Sequence, residues 1–304
     1  MSSPPILFDR ALLRARRTRA GKLGESTFLL DRVAQEMSDR LATIRRRFEC
    51  AIDLGTPSDV VRGAVMATGK VGTMIAADAL AGTPAPSHYD GSAFVVAADE
   101  EALPFRDASV DLVVSALTLQ FVNDLPGTLI QIGRALKPDG LLLAGLAGGD
   151  TLTELRQAFA AAEAEVEHGI SPRIAPFADV REIGMLLQRA GFALPVTDLD
   201  RITVRYGSPL ALMHDLRRMG ATNPLIERSR RPLRRATLKR MSDIYLERFA
   251  DGDGRIRATF EIIWLSGWTP HESQQKPLAP GSARQRLADA LGAKEIPAGE
   301  KVGR

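Results

Sequence analysis

Cysteine is nearly absent from this chain. Cys50 is the only one, which excludes an internal disulfide and any multi-cysteine zinc or iron–sulfur site. Histidine is scarce too: four residues lie scattered, so no metal-ligand set is assigned. Long apolar runs are missing, and none approaches the ~20 residues that span a bilayer. The first residues, MSSPPILFDRALLRARRTRA, lack the apolar core of a secretion signal. They are arginine-rich, as mitochondrial transit peptides are. Asp9 is unusual in such a peptide, and the stretch reads as a short basic helix with Phe8, Leu12 and Leu13 on one face. A reducing, cytoplasmic localisation is the expectation. Aromatic residues make up only 5% and do not interleave with the arginine clusters. The stacking platform of a single-strand nucleic-acid binder is therefore lacking, and no nucleic-acid partner is expected.

What is present is a chain of 304 residues, 45% hydrophobic, with a net charge of +3. That is enough for one large domain, or one domain with an insertion. The positive residues cluster at Arg14–Arg17, Arg45–Arg47 and Arg228–Arg240. The expectation for such runs is the solvated outer face of helices, with peripheral contact to an anionic membrane left open.

Leu29, Leu30, Val33, Met37, Leu41 and Ile44 recur at helical spacing over 28–47. Apolar strands follow at 50–54, 71–77, 94–98, 110–117 and 141–146. Helices are expected between them, notably over 58–67 and around Leu125–Leu136. This alternation predicts a doubly wound, mostly parallel α/β sheet with right-handed crossovers. The second half differs. Helices are expected at 152–168 and 180–190, then extended chain over 192–206, then two helices at 209–219 and 232–249. Ile256, Ala258, Phe260, Ile262 and Trp264 alternate as one face of a last, antiparallel strand. The expected division is an N-terminal helical segment (1–47), a core (48–207), a helical insertion (208–250), the final core strand (251–269) and a polar tail (270–304), poorly ordered in its proline-rich composition.

In an open α/β sheet the ligand sits beyond the carboxyl ends of the strands. Three strands here end in acid: Asp53, Asp78 and Asp99. One such acid is an ordinary turn residue; three in succession point to a site able to accept hydrogen bonds from a ribose or an amino group. Asp150, just past the fifth strand, is a candidate partner for a substrate arginine. It also begins a helix start, with Thr151 and Glu154 in capping-box spacing. His271-Glu272 lacks the second histidine of a zinc protease helix.

Asp53-Leu54-Gly55 resembles the first motif of class I S-adenosylmethionine (SAM) methyltransferases. Asp78 falls where their ribose-binding acid lies, and Asp99-Glu100 resembles the segment that sets an acid against adenine. Val110–Ser115 and Leu136–Gly140 resemble the fourth strand and the helix-to-strand corner. FDRALLRARR, ADEEALPF, VNDLPGTLIQIGRALKPDG, GGDTLTELR, SPRIAPFADV, LLQRAGF and WTPHESQQKP are similar, in order and spacing, to the mitochondrial respiratory complex I assembly factor 5 family. A more distant resemblance is to malonyl-carrier-protein methyltransferases. The resemblance implies a seven-stranded class I methyltransferase-like, Rossmann-like sheet with an insertion before the last strand. It implies SAM as cofactor, held by Asp53, Gly55, Asp78, Asp99, Glu100 and Ser115. It also implies arginine hydroxylation or methyl transfer on a respiratory NADH dehydrogenase subunit.

Two departures stand against that pattern. Where the family continues Cys-Gly-x-Gly, this chain has Thr56-Pro57-Ser58-Asp59. Proline fixes φ and removes an amide donor, and side chains replace close-approach glycines. SAM bound in a shifted pose, another small molecule, or a site emptied of ligand all remain open. The last makes the fold a non-catalytic assembly chaperone; a small-molecule or carrier-protein methyltransferase is a further alternative. Leu119-Gln120-Phe121 stands where many relatives have Leu-His-Trp, and glutamine cannot act as a base. No catalytic residue is assigned.

Overall fold

The structure is a computed structural model that describes residues 6–80, 94–275, 282 and 287–294. The proline- and glycine-rich loop expected over 81–92 and most of the expected polar tail lie outside these residues. The chain divides into two units, Met1–Pro270 and His271–Arg304. In the second unit, His271 and Ser273 share a local hydrogen bond of 2.7 Å, and one short helix runs over Leu287–Leu291.

The first unit is built on a seven-stranded sheet. Its strands are β1 (Phe48–Leu54), β2 (Val71–Asp78), β3 (Phe94–Ala97), β4 (Val110–Ala116), β5 (Leu136–Ala147), β6 (Ala193–Tyr206) and β7 (Ile256–Trp268). The order across the sheet is β3-β2-β1-β4-β5-β7-β6. The first five strands are parallel, while β7 runs antiparallel to both β5 and β6. The order reverses between β1 and β4, which sets the crevice of a doubly wound sheet beyond their carboxyl ends.

Helices cover both faces. On one lie α2 (Phe28–Thr43), α3 (Val60–Ala67), α5 (Thr153–Glu167), α7 (Pro209–Arg218) and α8 (Arg235–Phe249). On the other lie α4 (Leu125–Ala135) and α6 (Val180–Arg189). The stripe expected on α2 is real: Leu29, Leu30, Val33, Met37 and Leu41 are all buried. Each such side chain contributes roughly 1.5–3 kcal/mol by leaving water. On β7, Ile256, Ala258, Phe260, Ile262 and Trp264 share one core, while Ile263 and Leu265 point into the other. Pairs α7 and α8 form the expected insertion between β6 and β7.

The N-terminal helix α1 (Arg10–Leu23) starts where Asp9 accepts a hydrogen bond from the Leu12 amide at 2.9 Å. It is tied down by Phe8, which bridges to Leu225, and by a small cluster of Phe8, Leu13, Phe121, Ala175 and Leu225. The start of α5 corrects the expected capping box. Leu152, at φ +57°, precedes the helix without a side-chain cap. Thr151 instead exchanges two hydrogen bonds with the backbone of Glu261, each 3.0 Å, and Glu154 accepts from Thr259. Both side chains stitch the helix start to β7, a tertiary use that local spacing cannot announce. Among the described residues, no helix is long and apolar enough to cross a membrane.

Candidate functional site

The chain leaves β1 through Gly55, at φ +69°, where an L side chain is strained. Space demands glycine as well: a Cβ there would lie 2.4 Å from Glu100 Oε1 and 2.6 Å from Thr118 Cγ2. The Gly55 amide donates to the Ala77 carbonyl at 2.7 Å, and its own carbonyl accepts from Thr118 Oγ1 at 2.6 Å.

Asp53 is buried at this turn, 1% exposed. Arg62 of α3 donates to it at 2.7 Å, and the Thr56 hydroxyl donates to its other oxygen. Thr56 Oγ1 also accepts from the Ala116 amide at 3.2 Å. Burial pushes the Asp53 carboxyl up to about 6, against the pull of Arg62 and Thr56. Thr56, which stands where the family has cysteine, is thus the hub of a closed local network of Asp53, Arg62 and the Ala116 amide.

Asp78 ends β2, half-buried, and its carboxylate accepts from the Leu80 amide at 2.7 Å. It makes no ion pair among the described residues. Asp99 and Glu100 follow β3, and here the structure corrects the reading of the first arginine cluster as a solvated face. Arg10, Arg14 and Arg17 recur at helical spacing on one side of α1 and turn inward. Arg10 donates to Asp99 at 2.8 Å and also to Glu100, and Arg14 donates to Asp99. Arg17 lies 3.8 Å from Glu100 and donates to Gly55 O at 3.3 Å and Thr118 Oγ1 at 3.2 Å. Burial pushes Arg17 below its ordinary value, and Glu100 and Asp78 pull it back. Glu100 is only 2% exposed, so its pairing with Arg10 satisfies a charge that would be costly alone.

Asp53, Gly55, Asp78, Asp99 and Glu100 therefore meet around one turn. Ser115 sits inside β4 with its hydroxyl donated to the Leu54 carbonyl at 2.7 Å, where it ties β4 to β1. Asp150 lies apart, exposed and paired with Arg201 of β6, which also reaches Glu261 at 3.2 Å. Gln120 lies on a single 3-10 turn (Leu119–Phe121). Its amide donates to the Leu117 carbonyl at 2.8 Å, and its Oε1 is buried without a partner.

The acids supply acceptors suited to the hydroxyl and amino groups of a nucleoside cofactor. The space at Gly55 is taken by Glu100 and Thr118, and guanidinium groups of α1 hold Asp99 and Glu100. The donor set fits such a cofactor provided α1 yields these acids. Sequence reasoning missed Arg10, Arg14, Arg17, Thr56 and Thr118. The spacing of the three arginines was a visible signal, but the acids they meet lie some ninety residues away.

Comparison with known proteins adds the following. A methyltransferase domain family matches residues 59–144. The arginine-hydroxylase NDUFAF5, mitochondrial, of Danio rerio is 37% identical over 93% of this chain and 89% of its own length. Its Homo sapiens counterpart is 40% identical over 91% of this chain and 81% of its own length. In fold, the chain is similar to the crystal structure of a Burkholderia thailandensis 1,6-didemethyltoxoflavin-N1-methyltransferase, with a TM-score of 0.51 at 15% identity, covering 89% of this chain and 94% of that one.

Proposed function

This chain belongs to the arginine-hydroxylase NDUFAF5 family, and from that premise we propose that it is a methyltransferase-like enzyme that modifies an arginine side chain of a respiratory NADH dehydrogenase subunit during assembly. It would act from the cytoplasm, before that subunit docks at the membrane. The observation that carries the reading is the convergence of acids from three strand ends on the turn at Gly55, within a chain that follows this family over nine-tenths of its length.

SAM is the cofactor proposed for that turn, and when bound it supplies an electrophilic methyl group. Asp78 would accept from ribose hydroxyls, and Asp99, released by Arg10 and Arg14, from the adenine amine. Asp53 and Ser115 would hold the turn from below through Thr56 and Leu54. Glu100, packed on Gly55, would set how far the ligand enters.

One observation favours a second reading. Thr56 and Arg62 already bind Asp53, and Arg10 and Arg14 of α1 already hold Asp99 and Glu100. A protein so built can serve as an assembly chaperone without catalysis. Calorimetric titration with SAM and its demethylated product separates the two. Under the enzyme reading both bind, and Asp78→Ala weakens them by roughly 10- to 100-fold, the loss of a charge-assisted hydrogen bond. No binding at millimolar ligand, with subunit assembly intact in Asp78→Ala cells, leaves the chaperone. Mass spectrometry of the subunit from deletion cells then tells whether an arginine loses one oxygen or one methyl group relative to wild type.

A further inference from the structure

Beside Pro57 and Gln120 opens a cavity of about 320 Å³, at the small end of ligand pockets. Its walls are largely apolar, with Leu29, Leu30, Leu155, Phe159, Phe260 and Ile262 among them. Among the described residues no carboxylate side chain lines it, whereas five arginines do: Arg16, Arg17, Arg173, Arg217 and Arg228.

Three of these have acids to answer them. Arg17 faces Glu100, Arg173 binds Glu163 at 2.6 Å, and Arg228 binds Asp9 at 3.2 Å. Arg16 does not. Among the described residues its guanidinium, half-buried, donates to the carbonyls of Thr222 and Asn223 and forms no ion pair. Burial pushes it below its ordinary value, and Arg228 and Arg19 push the same way against Asp9. Arg217 lies exposed, with no ion-pair partner among the described residues. Water solvates the exposed Arg217, so the chamber is short of one negative charge at the half-buried Arg16.

We propose that this cavity binds a small anionic amphiphile, its apolar chain among Leu29, Leu155, Phe159 and Phe260 and its carboxylate or phosphate head on the Arg16 guanidinium. Guanidinium forks suit either head group. The same charge disfavours a substrate arginine in this cavity, which adjoins the turn at Gly55 through Arg17, and the proposal does not rest on the proposed reaction.

The test is titration of the full chain carrying ¹³C-methyl methionine. Met213 and Met219 line the cavity, and Met185 on α6, across the sheet, serves as reference. The probes are decanoate, decyl phosphate, decanol and decyltrimethylammonium, all below micelle-forming concentrations. We expect saturable shifts at Met213 and Met219 with one or both anions, and binding of decanol and the cation weaker by roughly tenfold or more. Which anion binds tells carboxylate from phosphate. Arg16→Gln should weaken anion binding by roughly tenfold and leave decanol unchanged, with Arg16→Lys restoring part of the loss. Decanol binding as tightly as the anions, no saturable shift with either anion, or an unaltered Arg16→Gln would each overturn the site. The wild-type comparison decides by itself if a variant fails to fold. SAM titration is a separate readout, so failure of the enzyme reading is not confused with failure here.

Discussion

Gly55 carries two constraints at once, a positive φ and a side chain of Glu100 lying where a Cβ would go. Gly55→Ala should therefore cost about 2 kcal/mol or more in urea unfolding, from the αL conformation and the forced shift of Thr118 and Glu100. A loss below half of that would mean the turn relaxes freely. Asp53 makes a prediction in pH. Its carboxyl is raised from 3.8 to about 6 in the fold. Between those values the folded chain holds a proton that the unfolded chain has lost, so stability falls as pH rises through this window. The contribution is fully present below pH ~4 and gone above ~6, on the order of 3 kcal/mol at most. Asp53→Asn should flatten that slope in urea midpoints measured from pH 4 to 7; an unchanged slope would assign it to other groups. At this scale the strand-end acids were legible because a parallel sheet puts its ligand-facing residues at strand ends. Thr56 was not: its hydroxyl does its work through Asp53 and the Ala116 amide, and residue 116 is placed beside it only by the sheet.

Among the elements, the strands were read well and α1 poorly. β4 announced itself as an almost unbroken apolar run because both its faces are covered, and every residue of it is buried. α1 looked like a solvated basic helix because its own sequence says nothing about the acids after β3 that fold against it. Arg10, Arg14 and Arg17 supply the charged part of its attachment, beside the apolar cluster around Phe8 and Leu13. Glu100→Gln should thus raise amide hydrogen exchange across Arg10–Leu23 by an order of magnitude or more, since breaking a buried pair costs several kcal/mol locally. Protection in α4, on the opposite face, should hold. Equal loosening of both helices would show that Glu100 supports the whole sheet rather than the strap. The helix start at α5 failed for a related reason: Thr151 and Glu154 have capping-box spacing yet serve β7.

For the molecule as a whole, two cores lie on opposite faces of one sheet, and β7 contributes to both. Cores that share strands should fail together. Leu212→Ala, in the first core, and Leu142→Ala, in the second, should each cost roughly 2–5 kcal/mol and leave a single transition. Tryptophan fluorescence, which reports Trp264 and Trp268 of β7, and far-ultraviolet circular dichroism should give coincident midpoints. Separated midpoints would divide the chain into independently melting halves. The α/β class and the insertion before β7 were legible at this scale, since strand-helix rhythm and its break are periodic signals. Which face each helix covers was not, because crossover geometry rather than hydropathy decides it. The placement of α1 also has a consequence in time. A ribosome makes this helix well before its seat, since 206 residues separate Arg16 from its partner Thr222. At cellular elongation speeds of about 5–20 residues per second, the helix waits roughly 10–40 s before the last of its seat has been synthesised. Arg10, Arg14 and Arg17 find their partners within the first 118 residues, whereas Arg16 stays without its carbonyl partners until then.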